Sequence, residues 1–412
     1  MGFMDLFKSN KLPTAVSFQD ILDAQARIAP YLTPTPLTFS PQLSDVAQRE
    51  VFVKWENKLR TGSFKERGAL NFLLSLTPDQ KKSGVCAASA GNHALALSYY
   101  AAKLNIQCHL IMPVSAPLVK VAAARKTGAE IILFGTTFNE AYERAQKIAA
   151  EKNYAFVPAF DHPMIIAGQG TAGLEICSQI DDFDSVVVPV GGGGLIAGIS
   201  IAIKERKREV FVLGAQSEWA VSHRAAPLAN AGSLAAVTIA DGIAVKRIGA
   251  HNAPIIEKNV DKLIAVSESD IARAILQLLQ LEKTVVEGAG AAGLAALLNG
   301  SLPCEKKKTV VVVSGSNIDL NLLSRLIDRE MAASGRLIKI MVSVPDAPGS
   351  LHETTGIIAK SGANVLQVFH DRSFSELPGN VDVSFLLEIR DDSHKKIVLK
   401  ALDDMGLAAR QI

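Results

Sequence analysis

The run SVVVPVGGGGLIAGIS (185–200) joins a β-branched strand to a glycine loop and then to the start of a helical pattern. No residue from Val186 to Ile203 carries a charge, a stretch near the lower limit of a membrane span. Four consecutive glycines, Gly191 to Gly194, would each cost a continuous helix about 1 kcal/mol relative to alanine, so a buried strand, a tight loop and a new helix fit better. Successive glycines let backbone N–H groups converge on a phosphate, and the helix N-terminus favours an anion there, so the loop reads as a phosphate cradle. On this motif alone the identity of the phosphate stays open. Gly192, Gly194 and Ala197 also satisfy the G-x-G-x-x-A dinucleotide pattern, with Glu218 roughly where a ribose-binding acid falls, so an NAD-dependent oxidoreductase is one reading.

Outward from that run, short β-branched segments alternate with helical periodicity. Strands are predicted at 51–56, 84–89, 108–112, 130–134, 185–190, 210–215 and 309–314. Helices are predicted at 69–76, 94–104, 118–127, 139–151, 195–206, 269–281 and 288–298, with Ser267 and Asp270 forming a capping pattern. Such alternation predicts an α/β fold with parallel sheets covered by helices on both faces. After a helical segment at 321–332 the pattern breaks at Ser334 and Gly335. Residues 337–412 then read as strand (338–344), helix (351–360), strand (364–370), strand (381–389) and helix (395–405), with room for a final strand. That order predicts a small α+β domain with helices on one face of an antiparallel sheet.

The formal charge is +2, from 43 Lys and Arg against 41 Asp and Glu, with no long run of one sign, which argues against a nucleic-acid partner. Cys86, Cys108, Cys177 and Cys304 form no CxxC pair and no dense framework, so reduced thiols in a cytoplasm are expected. The segment MGFMDLFKSNKL (1–12) has neither the basic and apolar regions of an export signal nor Ser or Thr where myristoylation needs one. A cytoplasmic protein without a membrane partner is expected. The eight histidines form no HExxH, and a hydrolase elbow G-x-S-x-G is absent.

Three further segments carry polar residues at strand-to-helix junctions. In KWENKLRTGSFKERGA (54–69), Lys65 follows Gly62, Ser63 and Phe64 at a helix start. Lysines are usually solvated, but a helix N-terminus and burial beside an aromatic ring both depress an amine's pKa, as a nucleophile or base requires. In AASAGNHALA (87–96), Ser89 and Asn92 would serve equally well as helix caps, and His93 as a packed ring. In VVVVSGSNID (310–319), a strand ends in a polar turn.

Taken in order, SFKERGA, ASAGNHA, GGGGLIAG and SGSN closely resemble the pyridoxal-phosphate enzymes of the β-family (tryptophan synthase β-like) fold, and within it the threonine and serine dehydratases. The resemblance covers roughly residues 20–330, with secondary matches at TPTPL (33–37), ADGIAVKR (240–247) and VVEGAGAAG (285–293). It implies a catalytic domain over 1–335, with a smaller mobile subdomain at roughly 60–160, and pyridoxal 5'-phosphate as cofactor. It makes Lys65 the Schiff-base lysine, puts Phe64 beside the cofactor ring, gives Asn92 to the phenolic oxygen, Gly191 to Gly194 with Leu195 to the phosphate, and Ser314 to the pyridine nitrogen. Ser89 and Ala90 with the Asn92 region would receive the substrate, and Glu287 matches an acid near the site.

The implied activity is dehydration and deamination of L-threonine to 2-oxobutanoate, and of L-serine to pyruvate. The related serine racemases place a serine where this chain has Ala90, and their divalent-metal acids read here as Gln216 and Ser222. Dehydration over racemisation, and no metal of that kind, are therefore expected. The tail SVPDAPGSLHETTGIIAKSGANVLQV (343–368), with HDR at 370–372, resembles a single ACT domain over 336–412. That resemblance implies a homodimer or homotetramer with an amino-acid effector at a shared ACT interface, the alternative being a purely structural dimerisation module.

Overall fold

The computed structural model describes residues 15–221, 238–303, 305, 307–371 and 379–412. In chain order the elements are α1 (Phe18–Ile28), β1 (Leu37–Phe39), α2 (Pro41–Ala47), β2 (Glu50–Trp55), α3 (Lys65–Ser75), α4 (Pro78–Ser83), β3 (Val85–Ala88), α5 (Asn92–Lys103), β4 (Cys108–Met112), α6 (Leu118–Lys126), β5 (Glu130–Leu133), α7 (Phe138–Lys152) and β6 (Ala155–Phe156). They continue with α8 (Pro163–Gln179), β7 (Ser185–Pro189), α9 (Gly194–Arg206), β8 (Phe211–Ser217), α10 (Asn252–Asn259), β9 (Lys262–Val266), α11 (Glu268–Leu281), α12 (Gly288–Leu298) and β10 (Lys308–Val313). The last are α13 (Leu320–Ala333), β11 (Leu337–Pro345), α14 (Ser350–Lys360), β12 (Asn364–Asp371), β13 (Asn380–Glu388), α15 (Asp392–Asp403) and β14 (Ala409–Gln411). A 3-10 turn at Asp241–Ile243 sits between β8 and α10. Among the described residues no helix is long and apolar enough to cross a membrane.

The chain divides into two compact units, 1–318 and 319–412. This division falls before α13, which packs on β11, whereas the break read at Ser334 and Gly335 had put that helix with the first unit.

The first unit holds two sheets. One has the order β1-β2-β10-β7-β8-β9 and is parallel except for β1, which runs antiparallel to β2 and makes the sheet mixed at that edge. Its central strand β7 is buried at every residue, as is β10 after Lys308, the pattern of strands covered on both faces. The second sheet, β5-β4-β3-β6, is wholly parallel and lies within the region expected to form the smaller subdomain.

Helices α1, α2, α4, α8 and α10 and strands β1, β6 and β9 have no counterpart in the sequence reading. The omission of α8 is the instructive one. It is buried almost all round, so it lacks a polar stripe, and Gly168, Gly170 and Gly173 look like helix breakers. Their function is close approach. A Cβ on Gly168 would lie 2.6 Å from the Arg67 carbonyl, and one on Gly198 of α9 would lie 2.4 Å from the Ile166 carbonyl, so α3, α8 and α9 pack backbone to backbone.

The second unit is an antiparallel sheet, β12-β13-β11-β14, in which β14 is the final strand for which the pattern left room. Alternate residues of β11 and β13, including Ile340, Val342, Val383 and Phe385, are buried against Ile358 of α14 and Val398 and Leu402 of α15. One apolar face and two covering helices give the small α+β architecture expected of an ACT domain.

Candidate active site

Helix α3 opens at Lys65, with Phe64 at its N-cap and no side chain capping it. The loop before it is tied to the end of β10. The Phe64 N–H donates to the Ser314 carbonyl at 3.0 Å, and Ser63 forms an antiparallel bridge with Gly315. Gly62 takes φ +80°, and a Cβ there would lie 2.8 Å from Asn317 Oδ1, so both conformation and space require glycine. The Lys65 amine donates to the Ala159 carbonyl at 2.7 Å and sits 5.1 Å from the Phe64 ring centre. Burial pulls its pKa down to about 8 against the opposing pull of the Glu287 carboxylate.

Helix α5 starts at Asn92, preceded by Gly91 with no side-chain cap. The capping alternative therefore does not hold for Asn92. Its Nδ2 donates to Glu287 Oε1 at 2.6 Å, while its Oδ1 accepts from Asn317 Nδ2 at 2.7 Å. Ser89 does act locally, its hydroxyl accepting from the Gly91 N–H at 3.3 Å, and Ala90 packs at the edge of the small sheet's core. Glu287, the N-cap residue of α12, is buried, and that burial together with the nearby Asp241 charge raises its pKa to about 7. His93 is packed: its Nε2 lies 3.1 Å from the Val157 carbonyl, and burial with the Lys65 charge pushes it down to about 3.

The glycine loop follows β7 and ends at α9. A Cβ on Gly192 would lie 2.3 Å from the Phe160 ring, one on Gly194 2.7 Å from the Phe160 carbonyl, and one on Gly191 2.9 Å from Ile243 Cα. Gly193 takes φ +93°. The glycines thus answer to the packing of neighbouring backbone as well as to any ligand, which the phosphate reading alone did not anticipate. Gly191 to Leu195 are all buried, and α9 has no side-chain cap. The first N–H groups of an α-helix lack intrahelical acceptors, so this buried end calls for an anion. Two hydroxyls near Lys65 are also under-used: Ser63 Oγ is buried without a hydrogen-bond partner, and Ser314 Oγ, 2% exposed, reaches the Ala289 carbonyl only at 3.5 Å. An uncapped buried helix end, a half-buried lysine with a depressed pKa and spare hydroxyls fit pyridoxal phosphate. Glu218, the acid of the dinucleotide reading, is instead engaged with the Glu268 N–H at the start of α11.

The structure also brings in residues to which the sequence reading gave no role. Asn317, within SGSN, binds the Thr61 carbonyl at 2.8 Å as well as Asn92. Beneath α3 lies a buried ionic cluster. Arg67 binds Glu56 at 2.6 and 2.7 Å and Glu175 at 2.6 and 2.8 Å, and Lys54 binds Glu175 at 2.6 Å. Burial opposes the Arg67 charge, but the two carboxylates outweigh it and raise its pKa. Charged residues are ordinarily read as surface, yet Lys54, Glu56 and Arg67 all lie in the segment that carries Lys65. Finally, Lys120 of α6 pairs with Asp241 at 2.5 Å, linking the helix beside the small sheet to the turn that packs on Gly191.

A family model described as pyridoxal-phosphate dependent enzyme matches residues 28–315. Among curated proteins, the L-threonine ammonia-lyase of Thermotoga maritima is 44% identical over 400 residues, covering 96% of this chain and 99% of the relative. The catabolic L-threonine dehydratase of Escherichia coli is 43% identical over 321 residues, covering 76% of this chain and 96% of the relative. Among solved structures, maize serine racemase superposes with a TM-score of 0.70 at 30% identity, covering 77% of this chain and 99% of that one.

Proposed function

Because the chain belongs to the pyridoxal-phosphate-dependent enzyme family, we propose that its reaction is the dehydration and deamination of L-threonine to 2-oxobutanoate and ammonia, with L-serine accepted alongside. It is a lyase acting on a small amino acid. The match of the Thermotoga ammonia-lyase along nearly the whole chain, tail included, carries this reading.

When bound, pyridoxal phosphate supplies an electron sink for the charge left at Cα as its proton departs. The buried end of α9, with Gly191 to Gly194 and Leu195, is suited to hold the phosphate, and Lys65 to tether the cofactor. An amine with a depressed pKa also serves as the base at Cα, since part of it is neutral near pH 7. Asn92 offers an N–H to the phenolic oxygen, and Ser314 a hydroxyl to the ring nitrogen. A hydroxyl cannot hold that nitrogen protonated as a carboxylate would, which makes a milder sink. Such a sink suits elimination, because the departing β-hydroxyl takes the electrons with it.

The substrate carboxylate is assigned to Ser89 and the Asn92 region, and Glu287, kept partly protonated near neutral pH, flanks it. Ala90 has no proton to give to the opposite face of Cα, which favours elimination over racemisation although a racemase shares the fold. The tail is assigned as the site of an amino-acid effector shared between subunits of a homodimer or homotetramer, on the strength of its ACT architecture. Free Cys86, Cys108 and Cys177 suit a reducing cytoplasm.

The test is a keto-acid assay on threonine and serine with Lys65→Ala beside the unsubstituted protein. Loss of turnover by more than a thousandfold with retained folding is expected, and activity within tenfold of the parent would overturn the assignment of Lys65.

A further inference from the structure

Asn317 joins two parts of the site. Its Nδ2 donates to the Thr61 carbonyl at 2.8 Å and to Asn92 Oδ1 at 2.7 Å. The Thr61 end of this chain is fixed. The Thr61 N–H is held by the carboxylate of Glu66, which is buried and also accepts from the Tyr100 hydroxyl at 2.7 Å. Gly62, at φ +80°, leaves room for the Asn317 amide to lie against the loop.

We propose that Asn317 is a positioning residue that sets the polarity of the Asn92 amide, so that Asn92 presents N–H, and never its oxygen, toward Glu287 and the cofactor. A backbone carbonyl only accepts, so the Asn317 atom facing Thr61 must be Nδ2. That same Nδ2 faces Asn92, which must answer with Oδ1, and the Asn92 Nδ2 is left pointing at Glu287 Oε1, 2.6 Å away. The reversed Asn92 amide would set NH2 against NH2 at one end and oxygen against a carboxyl oxygen at the other. The first contact is lost whatever the state of Glu287 and the second whenever Glu287 is ionised, in a part-buried setting where unmade hydrogen bonds are costly. The direction of the Thr61 carbonyl in the lysine loop is thereby passed through two amides to a third element, α5.

The inference rests on the cofactor reading for what Asn92 meets when the cofactor is bound; the order of the amides is set by protein atoms alone. An electron-rich phenolic oxygen needs a donor, and Asn317 guarantees one.

The experiment compares Asn317→Asp and Asn317→Ala with the unsubstituted holoprotein, reading the visible absorption band of bound pyridoxal phosphate and its dissociation rate, with circular dichroism as the check on folding. The Asp side chain keeps the shape, cannot donate, and draws the Asn92 NH2 toward itself; Ala removes the constraint without reversing it. The expected order is a shifted band and dissociation at least tenfold faster for Asp, with a smaller shift for Ala. A packing role predicts the reverse, with truncation worse than the isosteric change, and that order overturns the proposal. Should the Asp variant not fold, Ala alone decides: an unmoved band and unchanged dissociation overturn the proposal, and a displaced band supports it. If the unsubstituted protein shows no band fixed to Lys65 by borohydride, the cofactor reading falls and takes this inference with it. A normal parental band that neither variant moves overturns the inference alone.

Discussion

The depressed pKa of Lys65 predicts how fast the cofactor-free protein captures pyridoxal phosphate at each pH. Only the neutral amine attacks an aldehyde. With a pKa of about 8 instead of the ordinary 10.5, the neutral fraction at pH 7 is about 9% instead of about 0.03%, a gain of roughly 300-fold. The cause is burial of the amine, partly offset by Glu287. The sign follows: the capture rate should climb about tenfold per pH unit below 7, bend near 8 and flatten above it. Stopped-flow absorbance on cofactor-free protein between pH 6 and 10 measures this, and a small lysine amide reacted with the same aldehyde removes the reagent's own titration from the comparison. Glu287→Gln should move the bend to lower pH, because the charge that holds the ammonium form is gone. A rate that keeps rising steadily through pH 9.5 would refute the reasoning, since it would mean that the amine is an ordinary solvated lysine.

Three other outcomes are expected. Gly192→Val should weaken cofactor retention by about tenfold or more, since a Cβ 2.3 Å from the Phe160 ring must displace the loop or the ring, and an unchanged dissociation constant would count against the cradle. Glu175→Gln should cost about 3 kcal/mol in denaturant unfolding of the cofactor-free protein, because Lys54 and Arg67 are left with Glu56 as the one carboxylate of the cluster, and adding Lys54→Met should recover part of the loss. Ala90→Ser should add measurable D-serine to the products from L-serine, and chiral chromatography showing none from either protein would remove position 90 as the deciding one.

What the sequence made legible follows from what leaves a periodic or chemical mark. The strands β7 and β10 announced themselves as apolar runs, and α11 by its Ser267 cap and apolar stripe. Lys65, Asn92 and Gly191 to Gly194 were legible through strand-to-helix junctions and a family resemblance that depends on their order. Helix α8 was not, since a helix buried on every side has no polar phase to reveal its period, and its glycines mark contacts that exist only once α3 and α9 are in place. The ionic cluster was hidden for a similar reason: Glu175 lies far along the chain from Lys54, Glu56 and Arg67, and only the fold makes them a balanced set. Asn317 stood in a quoted motif, but its significance depends on which way two amides point.

The site's electrostatics follow from where its residues sit on parallel strands. Strands in one parallel sheet end on the same edge, so the loops after β2, β7 and β10 are neighbours, and the loop after β3 brings α5 from the other sheet. Four helices begin at or beside the site residues: α3 at Lys65, α5 at Asn92, α9 at Gly194 and α12 immediately after Glu287. Each N-terminus carries partial positive charge, which disfavours a cation and favours an anion. For Lys65 this works in the same direction as burial, and the amine is easily made neutral. For Glu287 the helix end and burial act in opposite directions, and burial with the Asp241 charge raises its pKa to about 7 against the lowering pull of Asn92 and Lys120. Converging helix starts therefore prepare the site for a phosphate without forcing its buried acid to ionise, so the same geometry that anchors an anionic cofactor can keep a proton on Glu287 near neutral pH.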